Sequence, residues 1–163
     1  MTYVFKMFGS PVGALKLIAT DRGLAAILWE NEDPERIGLT AAVEDPGRPI
    51  LVETERQLHG YFAGEVRVFT IPLDFKGTAF QRSVWAALLT IPFGETRTYA
   101  EIARQVGKPA AFRAVGAANG RNPISIITPC HRVLGSDGKL TGFAGGLEAK
   151  AELLAMERRG GRL

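Results

Sequence analysis

The chain has little of what builds a metal cage, a disulfide framework or a membrane span. Its 163 residues include one cysteine and two histidines. A lone cysteine cannot close an internal disulfide, so a reducing cytoplasm is the expected compartment. One thiol and two imidazoles do not complete a four-ligand zinc site without carboxylates, so no metal is expected. No apolar run approaches the roughly 18 residues of a transmembrane helix, so no membrane association is expected. The start, Met1-Thr2-Tyr3-Val4-Phe5-Lys6, lacks the long apolar core of a secretion signal. Internal repeats and low-complexity tracts are absent as well.

What remains is the composition of a globular protein, 46% hydrophobic and 23% charged. The length suits one ordinary core or two small lobes packed together. The net charge of +3 conceals a division. Residues 1–75 carry 7 Lys and Arg against 11 Asp and Glu, and residues 76–163 carry 13 against 6. The second half is therefore expected to meet a polyanion from which the first half stays away.

Residues 3–29 read as three short strands, Tyr3–Phe8, Ala14–Ala19 and Leu24–Trp29, separated by Gly9–Gly13 and Asp21–Gly23 turns. Partial alternation and tight turns predict an antiparallel meander with one buried face. Asn31–Pro49, acidic and proline-containing, reads as a solvated loop with room for a short helix. Leu51, Thr54, Leu58, Tyr61 and Phe62 then recur at helical spacing, ending near Gly64. His59 beside that face reads as a packing residue. Val66–Phe69 reads as a last strand, and Pro72–Lys76 as the boundary between an N-terminal unit, 1–75, and a C-terminal unit, 76–163.

Thr78-Ala79-Phe80-Gln81 and Thr98-Tyr99-Ala100-Glu101 are both capping boxes. The first opens a helix carrying Trp85, which reads as core. The second opens a helix ending at Gly107, followed by another from about Ala110 to Asn119. Two short helices joined by a glycine-containing turn have the helix-turn-helix pattern. On the second helix, Phe112, Val115 and Asn119 share a side assigned inward. Ala110, Arg113, Ala114 and Ala117 form the other side: one long cation on a surface of methyl groups. Major-groove readout calls for several bidentate donors. A smooth surface with a single arginine predicts minor-groove binding with little sequence preference.

The cysteine lies in Ile127-Thr128-Pro129-Cys130-His131-Arg132-Val133. A thiol attacks as thiolate, and adjacent His or Arg lowers its pKa. Pro129 fixes φ and stiffens the support. A lone cysteine is commonly a small buried hydrophobe, but an inert one needs no basic neighbours. On an extended chain Cys130 and His131 point to opposite sides, so direct pairing would require a sharp turn, and a bridging water would relieve the geometry. Gly135–Gly146 holds 5 glycines in 12 positions, which predicts a hairpin and a loop in close backbone contact with something.

Together, Pro129-Cys130-His131-Arg132-Val133, Asn122-Pro123 before it and Gly142-Phe143-Ala144-Gly145-Gly146 after it resemble the O6-alkylguanine-DNA alkyltransferases. The resemblance covers about residues 75–160 and extends more faintly over the rest. It implies an α+β fold: an N-terminal, ribonuclease H-like antiparallel three-stranded sheet with a helix, then a mainly helical C-terminal domain with the helix-turn-helix. It also implies direct DNA repair, an irreversible single-turnover transfer of an alkyl group from O6 of a flipped-out guanine to Cys130. No cofactor and no obligate protein partner are implied. The partner is double-stranded DNA containing O6-alkylguanine, with O4-alkylthymine a second candidate.

The same resemblance assigns residues. Cys130 is the acceptor, activated through water by His131, which Glu157 orients. Asn122 braces the segment, and Tyr99 helps rotate the nucleotide and donates to the departing guanine. Arg113 fills the space left in the duplex, and Lys108 and Ser136 touch the DNA backbone. Phe143, backbone N–H groups near Ala144 and Gly145, the carbonyls of Cys130 and Val133, and Lys150 line the base pocket. Ala144 stands where some members have serine, so that hydroxyl contact is missing. The zinc ligands of some members are missing too. Unaided, Glu157 reads as one more solvated helix charge. Two other readings are a non-catalytic lesion-binding module, which Cys130 counts against, and a cysteine hydrolase or thiol sensor, which leaves the helix-turn-helix without purpose.

Overall fold

The computed structural model describes residues 2–33, 39 and 41–161. Three strands, β1 (Tyr3–Ser10), β2 (Gly13–Ala19) and β3 (Leu24–Trp29), form the expected antiparallel meander. A three-residue strand, β4 (Ala42–Glu44), adds itself parallel to β1, giving the order β3-β2-β1-β4. The Asn31–Pro49 stretch is thus not loop throughout; residues 34–38 and 40 of it, where the expectation of a short helix is left, lie outside the described residues. Helix α1 (Pro49–Phe62) packs on the sheet through the face read from its spacing, with Leu51, Thr54, Leu58, Tyr61 and Phe62 all buried. His59 sets its ring edge-on to Phe8 at 4.8 Å.

Val66–Phe69 is not a strand. The free edge of β3 is already taken, by Leu24 N–H to the Pro72 carbonyl (2.8 Å) and Ile27 N–H to the Pro123 carbonyl (2.9 Å). Instead, the stretch that follows is held by the Gln57 side chain, which both donates to and accepts from Thr70. The contact at Pro123 has a second consequence: it docks the start of the Asn122–Cys130 segment on the sheet.

The C-terminal half contains α2 (Ala79–Leu88), β5 (Arg97–Thr98), α3 (Tyr99–Gln105), α4 (Phe112–Gly120), a 3₁₀ turn at Cys130–Arg132, β6 (Val133–Leu134) and α5 (Leu147–Arg158). Both capping boxes form, each with reciprocal bonds of 3.0 to 3.1 Å. Trp85 is buried and donates to the Ala118 carbonyl, tying α2 to α4. The turn between α3 and α4 uses Gly107 at φ +78°, a left-handed conformation glycine adopts without strain. Helix α4 begins at Phe112, so Ala110 lies in the preceding turn.

Phe112 corrects the helical-wheel assignment: it is 48% exposed while Val115 and Asn119 are buried. Helical Cα–Cβ bonds tilt toward the N-terminus, so the first residue's ring projects past the helix start, beside the Arg113 guanidinium. One buried cluster joins the sheet, α1, Ile124–Ile127 and α5; a second joins α2, α3, α4, Cys130 and Val133. Phe75 and Phe143 pack against both. No helix among the described residues is long and apolar enough to cross a membrane.

Candidate active site

Cys130 lies in the second cluster, against which Phe143 packs from its place between the two. Parallel pairing of β5 with β6 places Arg97 beside Val133 and Thr98 beside Leu134. The cap of α3 is thereby fastened to the end of the cysteine turn, so the helix-turn-helix and the thiol form one unit. Asn122 shapes the segment leading in. Its side chain donates to the Thr128 carbonyl at 2.8 Å and accepts from Ile124 N–H at 3.0 Å. Between them Ile126 sits at φ +75°, a region β-branched residues avoid. Its side chain is fully buried, and that packing holds the strained backbone in place.

The 3₁₀ turn at Cys130–Arg132 supplies the sharp bend that adjacent residues require, but His131 does not turn its polar edge to the sulfur through a direct bond. His131 Nε2 pairs with Glu157 Oε2 at 2.7 Å. Its Nδ1 is buried with no protein hydrogen-bond partner, free for a bridging water. Glu157, on α5, is 3% exposed, which corrects its reading as a solvated charge. Oε1 accepts from Arg132 Nε (2.8 Å) and Gly94 N–H (3.2 Å); Oε2 accepts from Arg132 Nη2 (3.0 Å), His131 and the Tyr61 hydroxyl (2.5 Å). Burial alone would raise this carboxyl, but the hydrogen bonds of His131 and Arg132 and their charges hold it well below the usual range.

The electrostatics also correct the expected thiolate. Burial pushes the Cys130 thiol up, against weaker lowering by an Asn122 hydrogen bond and the Lys150 charge. Arg132 does not activate the thiol because its guanidinium is engaged by Glu157 and the Ile91 carbonyl. Burial pushes His131 down, against the pull of Glu157. At neutral pH both shifts favour the uncharged forms, thiol and imidazole. Lys150, on the same face of α5 two turns before Glu157, is fully buried and donates to the Val133 and Thr141 carbonyls at 2.8 and 3.2 Å. Burial lowers its pKa. The Cys130 carbonyl accepts from Asn119 of α4 at 3.4 Å.

Around this cluster, Tyr99 is half-buried at the start of α3, its hydroxyl 2.6 Å from Thr141 Oγ1. Phe143 lies edge-on to Trp29 (5.4 Å) and to His131 (6.5 Å). Ala144 is exposed. Gly145 lies so close to the Trp29 indole that a Cβ there would come within 2.6 Å of the ring. Gly145→Ala is accordingly expected to displace the loop and cost about 1–3 kcal/mol, read as a lower urea midpoint. Arg113, Ala114 and Ala117 are exposed on α4, as are Ala110 and Lys108 before it and Ser136 on the turn after β6. The hairpin expected there does not form, because β6 pairs in parallel with β5 and no strand among the described residues returns after the turn. Lys108 Nζ stands 5.3 Å from the Phe80 ring centre. These residues share the outer surface and do not touch the thiol cluster.

Cys130 itself is 4% exposed. A cavity of about 560 Å³ reaches its neighbours Pro129 and Arg132 but opens among Phe69, Leu89 and Phe93. The cysteine is covered in this conformation, with Phe143 packed against its cluster. Tyr61 and Asn119 join the site although their sequence positions mark them only as inward-facing, and Arg132 serves as the partner of Glu157 and not as an activator of the thiol.

A buried cysteine next to a buried His–Glu pair, fastened through β5 and β6 to two helices in the helix-turn-helix pattern, has the form of a DNA-binding protein built around a thiol. Comparison with known proteins makes this specific. Residues 3–75 match the 6-O-methylguanine DNA methyltransferase, ribonuclease-like domain, and residues 79–159 the DNA binding domain of the same family. A methylated-DNA–protein-cysteine methyltransferase of Mycolicibacterium paratuberculosis is 52% identical over 157 residues, covering 95% of this chain and 92% of its own. One from Methanosarcina acetivorans is 48% identical over 153 residues, covering 94% and 97%. The crystal structure of Mycobacterium tuberculosis OGT in complex with DNA superposes with a TM-score of 0.89 at 46% identity, covering 99% of this chain and 96% of that one. The chain belongs to the 6-O-methylguanine DNA methyltransferase family.

Proposed function

We propose that the protein repairs DNA by moving an alkyl group from O6 of a flipped guanine onto Cys130, once per molecule. The observation that carries the reading is the buried Cys130 beside a His131–Glu157 pair, joined through β5 and β6 to a helix-turn-helix. The base must leave the stack because the target atom is otherwise out of reach. The thiol proton passes through water to His131, the sulfur forms a bond to the alkyl carbon, and the carbon–O6 bond breaks. Its electron pair leaves on guanine, to which Tyr99 donates a proton. The thioether does not hydrolyse, so neither cofactor nor turnover is needed.

In this reading residues 1–75 are scaffold and 76–163 carry DNA contact and chemistry, acting in the cytoplasm without an obligate partner. Lys108 and Ser136 hold the phosphate backbone, and α4 lies in the minor groove with Ala110, Ala114 and Ala117 against it. Phe143, Ala144, Gly145, Val133 and Lys150 enclose the base, O4-alkylthymine being a second candidate. Entry requires Phe143 to yield and the Tyr99–Thr141 hydrogen bond to open. The deciding experiment is intact mass after incubation with O6-methylguanine duplex: one methyl on the Cys130 peptide supports the reading, and none ends it.

Arg113 offers a separate check. Unstacking a base costs a few kcal/mol, and an inserted side chain offsets part of that. Arg113→Ala is expected to slow transfer from duplex DNA ~10–100-fold while leaving reaction with free O6-benzylguanine unchanged. Equal slowing of both substrates would place the defect in the chemistry and not in flipping.

A further inference from the structure

We propose that Tyr61, in the N-terminal scaffold, is a positioning residue for alkyl transfer: its hydroxyl fixes the Glu157 oxygen that holds the His131 imidazole beside Cys130. This rests on Cys130 being the alkyl acceptor. Tyr61 is fully buried, 96 residues from Glu157 in sequence, and its hydroxyl lies 2.5 Å from Oε2, the same oxygen His131 Nε2 approaches. Its ring packs against those of Phe62, Phe69 and Phe93 at 5.2 to 6.0 Å. A phenylalanine would satisfy those contacts equally. A buried hydroxyl is costly unless bonded, so the oxygen is there for its acceptor.

The geometry defines what the bond does. Oε2 takes three donors, from Tyr61 on α1 and from His131 and Arg132 in the cysteine turn, while Oε1 takes Arg132 and the Gly94 amide. Tyr61 therefore shares the carboxylate's charge with His131 and limits how far the imidazole rotates about the Nε2 contact. The opposite ring nitrogen, Nδ1, is the one left for the thiol. The charged or titratable groups acting on His131 are Glu157 and Arg132 across the ring and Lys150 on α5. Cys130 feels Lys150 and, from the segment just after β3, Glu32. Burial and the adjacent Glu157 charge push the Tyr61 hydroxyl well up, so it remains a donor throughout the working range and exchanges no proton in the reaction.

Removing that donor makes Glu157 a stronger acceptor for His131 and so favours the imidazolium. Protonated His131 cannot take the thiol proton. Tyr61→Phe should therefore move the acid limb of the single-turnover rate upward by ~0.5–1 pH unit, about what one charge-assisted bond shared with His131 is worth. The plateau rate should fall ~3–10-fold as the imbalanced imidazole loses its orientation. The His131 imidazole pKa, followed by NMR without substrate, should rise by the same amount, with His59, the only other histidine, unmoved as an internal control. A thermal melt verifies that the variant is folded.

A uniform fall in rate at every pH with the His131 titration unmoved would make Tyr61 a packing residue and overturn the proposal. So would parental rates throughout. The NMR titration keeps the two questions apart. If wild-type protein took up no methyl while His131 still shifted in Tyr61→Phe, the repair reading would fall and the coupling of Tyr61 to the relay would stand.

Discussion

Cys130→Ser is expected to take up no methyl from O6-methylguanine duplex while still binding that duplex as the parent does. The substitution replaces one chalcogen by another at a 4% exposed position and leaves Asn122 within reach of the new hydroxyl. Its structural cost is that of burying a partly satisfied hydroxyl, about 1–2 kcal/mol, too little to unfold an ordinary domain. The chemistry is another matter. Burial pushes the thiol up, so in the proposed reaction its proton goes to His131 as the carbon–sulfur bond forms. A serine hydroxyl is a far weaker acid and nucleophile in that setting. Loss of a catalytic nucleophile removes at least ~10³-fold of rate, beyond what a single-turnover assay would detect here. The proposed contacts to DNA lie on α4, the turn before it and the turn at Ser136, away from the thiol, so affinity should survive. Methylation of the serine variant at any other residue, found by peptide mass, would show that Cys130 is not the acceptor.

That Cys130 could be singled out from sequence, while much of its support could not, has a physical basis. The cysteine is unique and its neighbours are contiguous, so the pattern is local. The capping boxes at Thr78 and Thr98 were legible for the same reason: each is closed within four residues. Strand β4 is three residues long and pairs with β1 across most of a loop, which leaves no periodicity to find. Val66–Phe69 has strand composition, but the edge it would need is occupied by Pro72 and Pro123. Phe112 shows the limit of a helical wheel, which places residues around an axis without saying where the helix begins. The direction of the Cys130 shift was misjudged because a sequence shows Arg132 beside the thiol and not its engagement by Glu157. Tyr61 and Glu157 come from opposite ends of the chain, and only packing joins them.

Glu157→Gln is expected to lower both stability and transfer rate, with an acid dependence that separates the two causes. The carboxylate side chain is 1% exposed and is the counter-charge of a buried guanidinium. Taking away one member of such a pair leaves the other without compensation, which costs about 3–5 kcal/mol. The amide also presents an N–H₂ where Arg132, His131 and Tyr61 all direct donors, so at least one of those bonds becomes a clash of donors. His131 loses both its orientation and the charge that raises its basicity. A positioned acid–base residue contributes 10²–10⁴-fold, and a fall of about 10²-fold in single-turnover rate at neutral pH is the expected result. The folded carboxyl titrates well below its ordinary value of 4.5. Its contribution to stability is therefore complete above that value and fades as pH falls beneath it. The amide cannot titrate, so the stability gap between wild type and Glu157→Gln, measured by urea unfolding, should be full at neutral pH and narrow steadily in acid. A gap of constant size from neutral to acid pH would mean that packing, and not the charge on Glu157, holds the Tyr61, His131 and Arg132 side chains together.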